Sequence, residues 1–79
     1  MTDGTRSASD GFMIRDAREL GLAVRALRRS RGWTQADLSR VAGISRPALI
    51  RLERGESVRV STLMDALTFL GARIRVERR

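Results

Sequence analysis

The 79-residue chain contains no cysteine and no histidine, and all sixteen of its basic residues are arginine. This composition excludes disulfides, thiolate metal sites and mechanisms that need a histidine base or ligand. The formal net charge of the chain is +7, and its positive excess lies in residues 15–79, because residues 1–14 hold one arginine and two aspartates. A basic folded region favours a polyanionic partner.

The N-terminal segment, residues 1–13, is rich in Ser, Thr, Gly and Asp and is predicted to be a flexible tail. The pattern leaves open whether Phe12, Met13 and Ile14 fold back on the body. No apolar run approaches the roughly 18 residues of a membrane span, and the N-terminus lacks the pattern of a signal peptide. We therefore expect a single domain in the cytoplasm, without a membrane span.

A first helix is predicted from about Arg15 to Arg31, because apolar residues recur there at helical spacing. The residues expected to face the core are Ala17, Leu20, Ala23, Val24 and Leu27. Gly32 ends the helix. Trp33 is predicted to cover the edge of the small core, with stacking on a nucleic-acid base as the less favoured alternative.

A second helix is predicted to begin at Thr34, whose hydroxyl can accept a first-turn amide, and Asp37 can complete a capping box. Its apolar stripe consists of Leu38, Val41 and Ala42. Gly43 follows, where a helix end commonly needs a residue that tolerates the left-handed conformation.

A third helix is predicted directly after this turn, with Ser45 as its N-cap and Pro47 in its first turn. Its buried face consists of Leu49 and Leu52. Two short capped helices joined by a glycine turn are the helix-turn-helix pattern. The plain alternative is two arbitrary helices of a bundle, but such a pair does not require the small Ser39 or the apolar Ile44.

A fourth helix is predicted from an N-cap at Ser61 to a stop at Gly71. Its apolar stripe is wide enough to pack on the domain and on a second subunit, and consists of Leu63, Met64, Ala66, Leu67, Phe69 and Leu70. In residues 72–79 apolar and charged residues then alternate with the period of a strand. A lone strand needs a partner, so pairing with its twin across a two-fold axis is predicted, with a frayed basic tail as the alternative.

Residues 33–55 resemble the helix-turn-helix of the Xre/Cro phage-repressor family. The residues that carry this resemblance are Gln35, Leu38, Gly43, Ile44, Leu49, Leu52, Glu53 and Gly55. With the flanking helices, the resemblance covers roughly residues 17–71. It implies an all-α, lambda-repressor-like domain of four to five helices over residues 14–71 that binds double-stranded operator DNA. Residues 72–79 are expected to be the short dimerisation strand.

The exposed face of the third helix is expected to read bases in the major groove, where each base pair displays a distinct pattern of donors and acceptors. Arg46 and Arg51 resemble base-reading positions of the family and are expected to bind guanine. The remaining residues of the base-reading set are Pro47, Ala48 and Ile50. Pro47 and Ile50 depart from the polar residues common in the family, which leaves the role of Ile50 open.

The resemblance also assigns residues to other roles. Gln35 resembles a phosphate-binding glutamine at a helix start, and the rest of the predicted phosphate-binding set is Thr34, Arg40, Ser45 and Arg54. Arg28 and Glu53 match a buried ion pair that ties the first helix to the third in relatives. The predicted dimer contacts are Phe69, Ala72, Ile74 and Val76.

A helical domain followed by one strand further resembles the HipB-like antitoxins of this family, on GWTQ (residues 32–35), the fourth helix and the strand pattern. This implies a homodimer that represses its own toxin–antitoxin operon and binds a HipA-like kinase toxin. The alternatives are a stand-alone Xre-family regulator and a protein-interaction module that does not bind DNA. No residue spacing suggests a catalytic, metal or cofactor site, so neither enzymatic activity nor a cofactor is expected.

Overall fold

Four α-helices make up the regular structure of the computed structural model, which describes residues 11–79. They are α1 (Ala17–Ser30), α2 (Gln35–Ala42), α3 (Arg46–Glu53) and α4 (Val60–Phe69). The all-α prediction is therefore confirmed for the described residues. Most of the predicted tail, residues 1–10, lies outside them, and residues 11–15 are exposed and have no regular secondary structure.

The first helix starts later than its apolar spacing suggested, because Asp16 caps it. The Asp16 carboxylate accepts the Glu19 N–H at 2.8 Å, and the Arg15 guanidinium pairs with the Glu19 carboxylate at 2.7 Å. Ala17, predicted to face the core, is exposed. It lies in the first turn of α1, at the edge of the body beside Gly55.

The starts of α2 and α3 agree with the predicted caps. Thr34 Oγ1 accepts the Asp37 N–H at 3.0 Å, while Asp37 Oδ2 accepts the Thr34 N–H at 2.8 Å, so the capping box is confirmed. The hydrogen bond from the Thr34 backbone, followed by its side-chain bond, holds the pKa of Asp37 below its ordinary value. Ser45 Oγ accepts the Ala48 N–H at 3.1 Å at the start of α3.

The core lies where α1 packs on α3 and where α2 packs on α3 and α4. Its buried members are Val24, Leu38, Ala42, Ile44, Leu49, Leu52, Ala66, Leu67 and Leu70. Fully burying a side chain such as Leu38 stabilises the fold by roughly 1.5–3 kcal/mol before the loss of chain entropy is counted. Trp33 covers the edge of this core, as predicted, and the Arg31 guanidinium lies 5.1 Å from the centre of its ring.

The fourth helix starts earlier than predicted. Ser61 is not its N-cap, because the backbone is already helical at Val60 and the cap position falls on Arg59, which makes no side-chain capping bond. Met64 and Phe69 are 44% and 47% exposed, so they lie outside the buried part of the predicted stripe. The buried part of the stripe is Ala66, Leu67 and Leu70, with Leu63 half-buried.

The chain after α4 follows the body as far as Ala72 and then leaves it. The Ala72 N–H donates to the Leu67 carbonyl at 2.8 Å, and Ala72 packs on the core. Residues 73–79 are exposed and have no regular secondary structure in this single chain. Within residues 11–79, no helix is long and apolar enough to cross a bilayer.

Candidate nucleic-acid interface

The turn between α2 and α3 is fixed by a left-handed glycine and two hydrogen bonds. Gly43 has the left-handed φ of 68° that a residue with a Cβ adopts only at a cost. The Ile44 N–H donates to the Ser39 carbonyl at 3.1 Å, and the Ser39 hydroxyl donates back to the Ile44 carbonyl. Ser39 and Ile44 are both buried. The angle between the two helices is therefore held by paired backbone groups and apolar packing together.

One face of α3 is buried and the other is open. Leu49, Leu52 and Glu53 point inward. The predicted base-reading residues lie on the other side, where Arg46, Pro47 and Arg51 are exposed and Ala48 and Ile50 are half-buried. An α-helix of about 10–12 Å diameter fits the major groove of DNA, which is about 12 Å wide. The exposed arginines are thus on the face that could enter it.

A buried ion pair fastens α3 to α1. Arg28 Nε lies 2.7 Å from Glu53 Oε2 and Arg28 Nη2 lies 2.9 Å from Glu53 Oε1, with both side chains less than a tenth exposed. The hydrogen bond that Arg28 donates to Glu53 raises the pKa of Arg28 above its ordinary value. Arg28 Nη1 also donates to the Trp33 carbonyl at 2.8 Å, so one guanidinium joins α1, the α1–α2 turn and α3.

Gln35 completes this network from the start of α2. Its amide nitrogen donates to Glu53 Oε1 at 3.1 Å. A side-chain amide carries two N–H bonds, so one remains for another acceptor. The structure therefore brings the predicted phosphate-binding glutamine into contact with the predicted ion pair, a connection that the sequence analysis did not include.

A polar groove runs between α1, the start of α2 and α3. Its lining residues are Arg25, Arg28, Arg29, Thr34, Gln35, Ala36, Arg46, Ile50, Glu53 and Arg54. It joins three predicted phosphate-binding residues to two predicted base-reading residues. Arg25 and Arg29 are additional, because they belong to none of the predicted site sets. The signal available in the sequence was their spacing around Arg28, at i−3 and i+1.

The other predicted site residues lie outside this groove. Arg51 is exposed in the last turn of α3, Ser45 caps that helix, and Arg40 Nη2 is 3.4 Å from Asp37 Oδ1 on the surface of α2. Of the predicted dimer contacts, Phe69 and Ile74 are about half exposed, Val76 is 91% exposed and Ala72 is half-buried. None of these four residues lines the groove.

Comparison with known proteins gives one family match. The helix-turn-helix family model HTH_3 matches residues 24–76, which include α2, the glycine turn, α3 and α4. No curated protein matches the chain in sequence.

Several solved structures have a similar fold. A serine-to-alanine variant of HipB in complex with an O2 20mer superposes with a TM-score of 0.77 at 24% identity, covering 85% of this chain and 94% of that one. A HipB–O4 20mer complex gives 0.77 at 22% identity, covering 85% and 96%. A structure named MDT protein gives 0.76 at 22% identity, again covering 85% and 96%. At these identities the likeness concerns the fold.

Proposed function

Because the chain belongs to the HTH_3 family of helix-turn-helix DNA-binding regulators, we propose that it is a dimeric transcriptional repressor that reads operator DNA with α3. The observation that carries this proposal is that α3 has one buried face, which fixes it to the body, and one exposed face that carries arginines. Leu49, Leu52 and Glu53 fix α3 to the body, while Arg46 and Arg51 are exposed on it. An arginine can bind O6 and N7 of guanine together, so each half-site should contain at least one guanine.

The phosphate contacts proposed for this mode of binding surround α3. Gln35 has one amide N–H left over from Glu53, and Arg54 follows the end of α3. Thr34 and Ser45 cap the starts of α2 and α3, and Arg40 lies in the last turn of α2. Such contacts set the register of the protein on DNA but carry no sequence information. Binding should accordingly weaken steeply as salt rises from about 50 to 200 mM.

The decisive experiment selects bound duplexes from a random pool and then compares variants on the selected sequence. Arg46→Ala and Arg51→Ala should each relax the preference at one guanine position, at a cost of roughly 1–3 kcal/mol in discrimination. Arg54→Ala serves as the control, because loss of a phosphate contact weakens binding by a similar factor on all sequences. If neither Arg46→Ala nor Arg51→Ala changes the selected sequence, α3 is not the reading helix.

The dimer is proposed to form through the unpartnered apolar residues at the C-terminal end. Met64 and Phe69 of α4 are about half exposed, and Ile74 and Val76 alternate with arginines in the segment that follows. Pairing of residues 72–79 with a second copy would satisfy their backbone hydrogen bonds and cover these side chains. The two α3 helices should then meet half-sites about 34 Å apart on a pseudo-palindrome.

A narrower form of the proposal is an antitoxin role in a HipBA-like operon in the bacterial cytoplasm. It is supported by the similarity of the fold to HipB and by the strand-like pattern of residues 72–79. Co-expression with the product of the adjacent gene should then yield a stable complex with a HipA-like kinase. If the neighbouring gene encodes no protein of kinase size, the chain is a stand-alone regulator. A pure interaction module would bind none of the selected duplexes.

A further inference from the structure

Two arginines of α1 border the polar groove from the side opposite α3. Arg25 and Arg29 are one helical turn apart, so their side chains leave the same face of α1, about 5–6 Å apart at Cβ. Both are exposed. Between them, one residue before Arg29, Arg28 turns inward to Glu53. This cluster of three arginines therefore contains one buried structural residue, Arg28, and two surface residues, Arg25 and Arg29.

The groove has a strong excess of positive charge. It is lined by five arginines and by a single carboxylate, Glu53. Both oxygens of that carboxylate already accept hydrogen bonds, from Arg28 and Gln35. Within residues 11–79, no carboxylate forms an ion pair with Arg25 or Arg29. Two adjacent arginine forks on a concave surface match the geometry and charge of a phosphate group.

The position of the groove determines which phosphate it would meet. If α3 enters the major groove, it fills most of the groove width, so a sugar–phosphate strand must run along its flank. The flank that carries Arg46, Ile50 and Arg54 is the wall of the groove shared with α1. A strand on that side would pass over the outer wall formed by α1.

From this arrangement we infer that Arg25 and Arg29 of α1 together bind one DNA backbone phosphate per subunit, beside the base pairs that α3 reads. This inference rests on the proposed function and adds α1 to the DNA-binding surface. The contact contributes affinity and orientation without sequence preference. It also explains why the groove holds arginines at 25 and 29 although the ion pair that fastens α1 to α3 needs only Arg28.

The test is the salt dependence of binding by the full chain carrying both Arg25→Gln and Arg29→Gln. Its probes are the duplex selected by the wild type and a random duplex of equal length. Each neutralised phosphate adds about 0.9 to the slope of log affinity against log salt, so the double variant should lose about two units per dimer on both duplexes. The ratio of affinities for the two duplexes should stay unchanged.

The matched control replaces two exposed arginines that lie outside the groove and outside residues 72–79, Arg18→Gln with Arg31→Gln, and therefore removes the same formal charge. Its slope should equal that of the wild type, and thermal melts should show both double variants folded. A wild-type slope in the Arg25→Gln/Arg29→Gln variant overturns the inference. Equal wild-type affinity for the two duplexes overturns sequence-specific recognition instead, while the slopes still test the two arginines.

Discussion

At the scale of single residues, Glu53 of α3 connects three helices, because its partners Arg28 and Gln35 lie on α1 and α2. Its carboxylate is nearly inaccessible, and it receives two hydrogen bonds from Arg28 and one from Gln35. Among residues 11–79, every fully buried side-chain nitrogen and oxygen has a hydrogen-bond partner. This carboxylate therefore sets the position of α3 relative to the start of α2, where a phosphate is proposed to bind.

The prediction at this scale concerns the cost of breaking the pair. Arg28→Ala should lower the free energy of unfolding by roughly 3–5 kcal/mol, because it leaves the Glu53 carboxylate buried with only Gln35 as a partner. Urea unfolding measures this loss. The double variant Arg28→Met/Glu53→Leu, which removes both charges, should be clearly more stable than Arg28→Ala. If Arg28→Ala unfolds at the wild-type urea concentration, the pair does not hold the helices together.

At the scale of elements, α1 and α3 approach each other at Gly21. A Cβ at this position would lie 2.5 Å from the Leu52 carbonyl oxygen and 2.6 Å from that of Glu53. Such distances are far below van der Waals contact, so only glycine fits. The same contact brings α1 close enough for Arg28 to reach Glu53. The close approach of the two backbones and the buried ion pair thus support each other along one helix–helix interface.

At this interface, replacing glycine with alanine should have the opposite of its usual effect on stability. Replacing a helical glycine with alanine usually stabilises a helix by about 0.5–1 kcal/mol, but Gly21→Ala should destabilise the fold by about 1–3 kcal/mol. The control is Ala26→Gly at an exposed position of the same helix, which should cost only the propensity difference. Both are measured by denaturant unfolding. A stabilised Gly21→Ala variant would contradict the packing described here.

At the scale of the whole molecule, the single chain leaves several large apolar side chains exposed. Its extents are 37 × 28 × 18 Å, and a body this small leaves several large apolar side chains outside its core. Those near the C-terminal end are Met64, Phe69, Ile74 and Val76. Scattered apolar residues are ordinary on protein surfaces, but a set shared by α4 and the following segment favours an interface between two copies.

The prediction for the whole molecule is that Val76→Asp separates the proposed dimer without unfolding the subunit. Val76 is 91% exposed in the single chain, so an aspartate meets no steric obstacle there but would disrupt an apolar pairing with a twin strand. Sedimentation equilibrium should report a monomer at micromolar concentration. The same substitution at Val60, which is 74% exposed at the start of α4, is the control and should remain dimeric. A dimeric Val76→Asp variant would remove residues 72–79 from the interface.

The sequence by itself determined the helices, the turn and most of the caps. Thr34, Asp37 and Ser45 cap through hydrogen bonds to amides three residues away, and Gly43 meets a requirement of its own backbone, so nearby residues suffice to predict them. The exposure of Arg46 and Arg51 likewise follows from the helical period of the apolar residues beside them. At Ser61 the local cap signal was wrong by two residues, because the backbone of α4 turns helical from Val60.

Only the tertiary structure decided which surfaces share a site. The meeting of Gln35 with Glu53, the contact of Gly21 with the α3 backbone and the inclusion of Arg25 and Arg29 in the groove all join residues that are far apart in sequence. Hydrophobic periodicity states which face of a helix is buried, but it contains no information about which other helix lies against that face. That choice depends on the crossing of α1 and α3, which is fixed by side-chain shape and a buried charge pair between them.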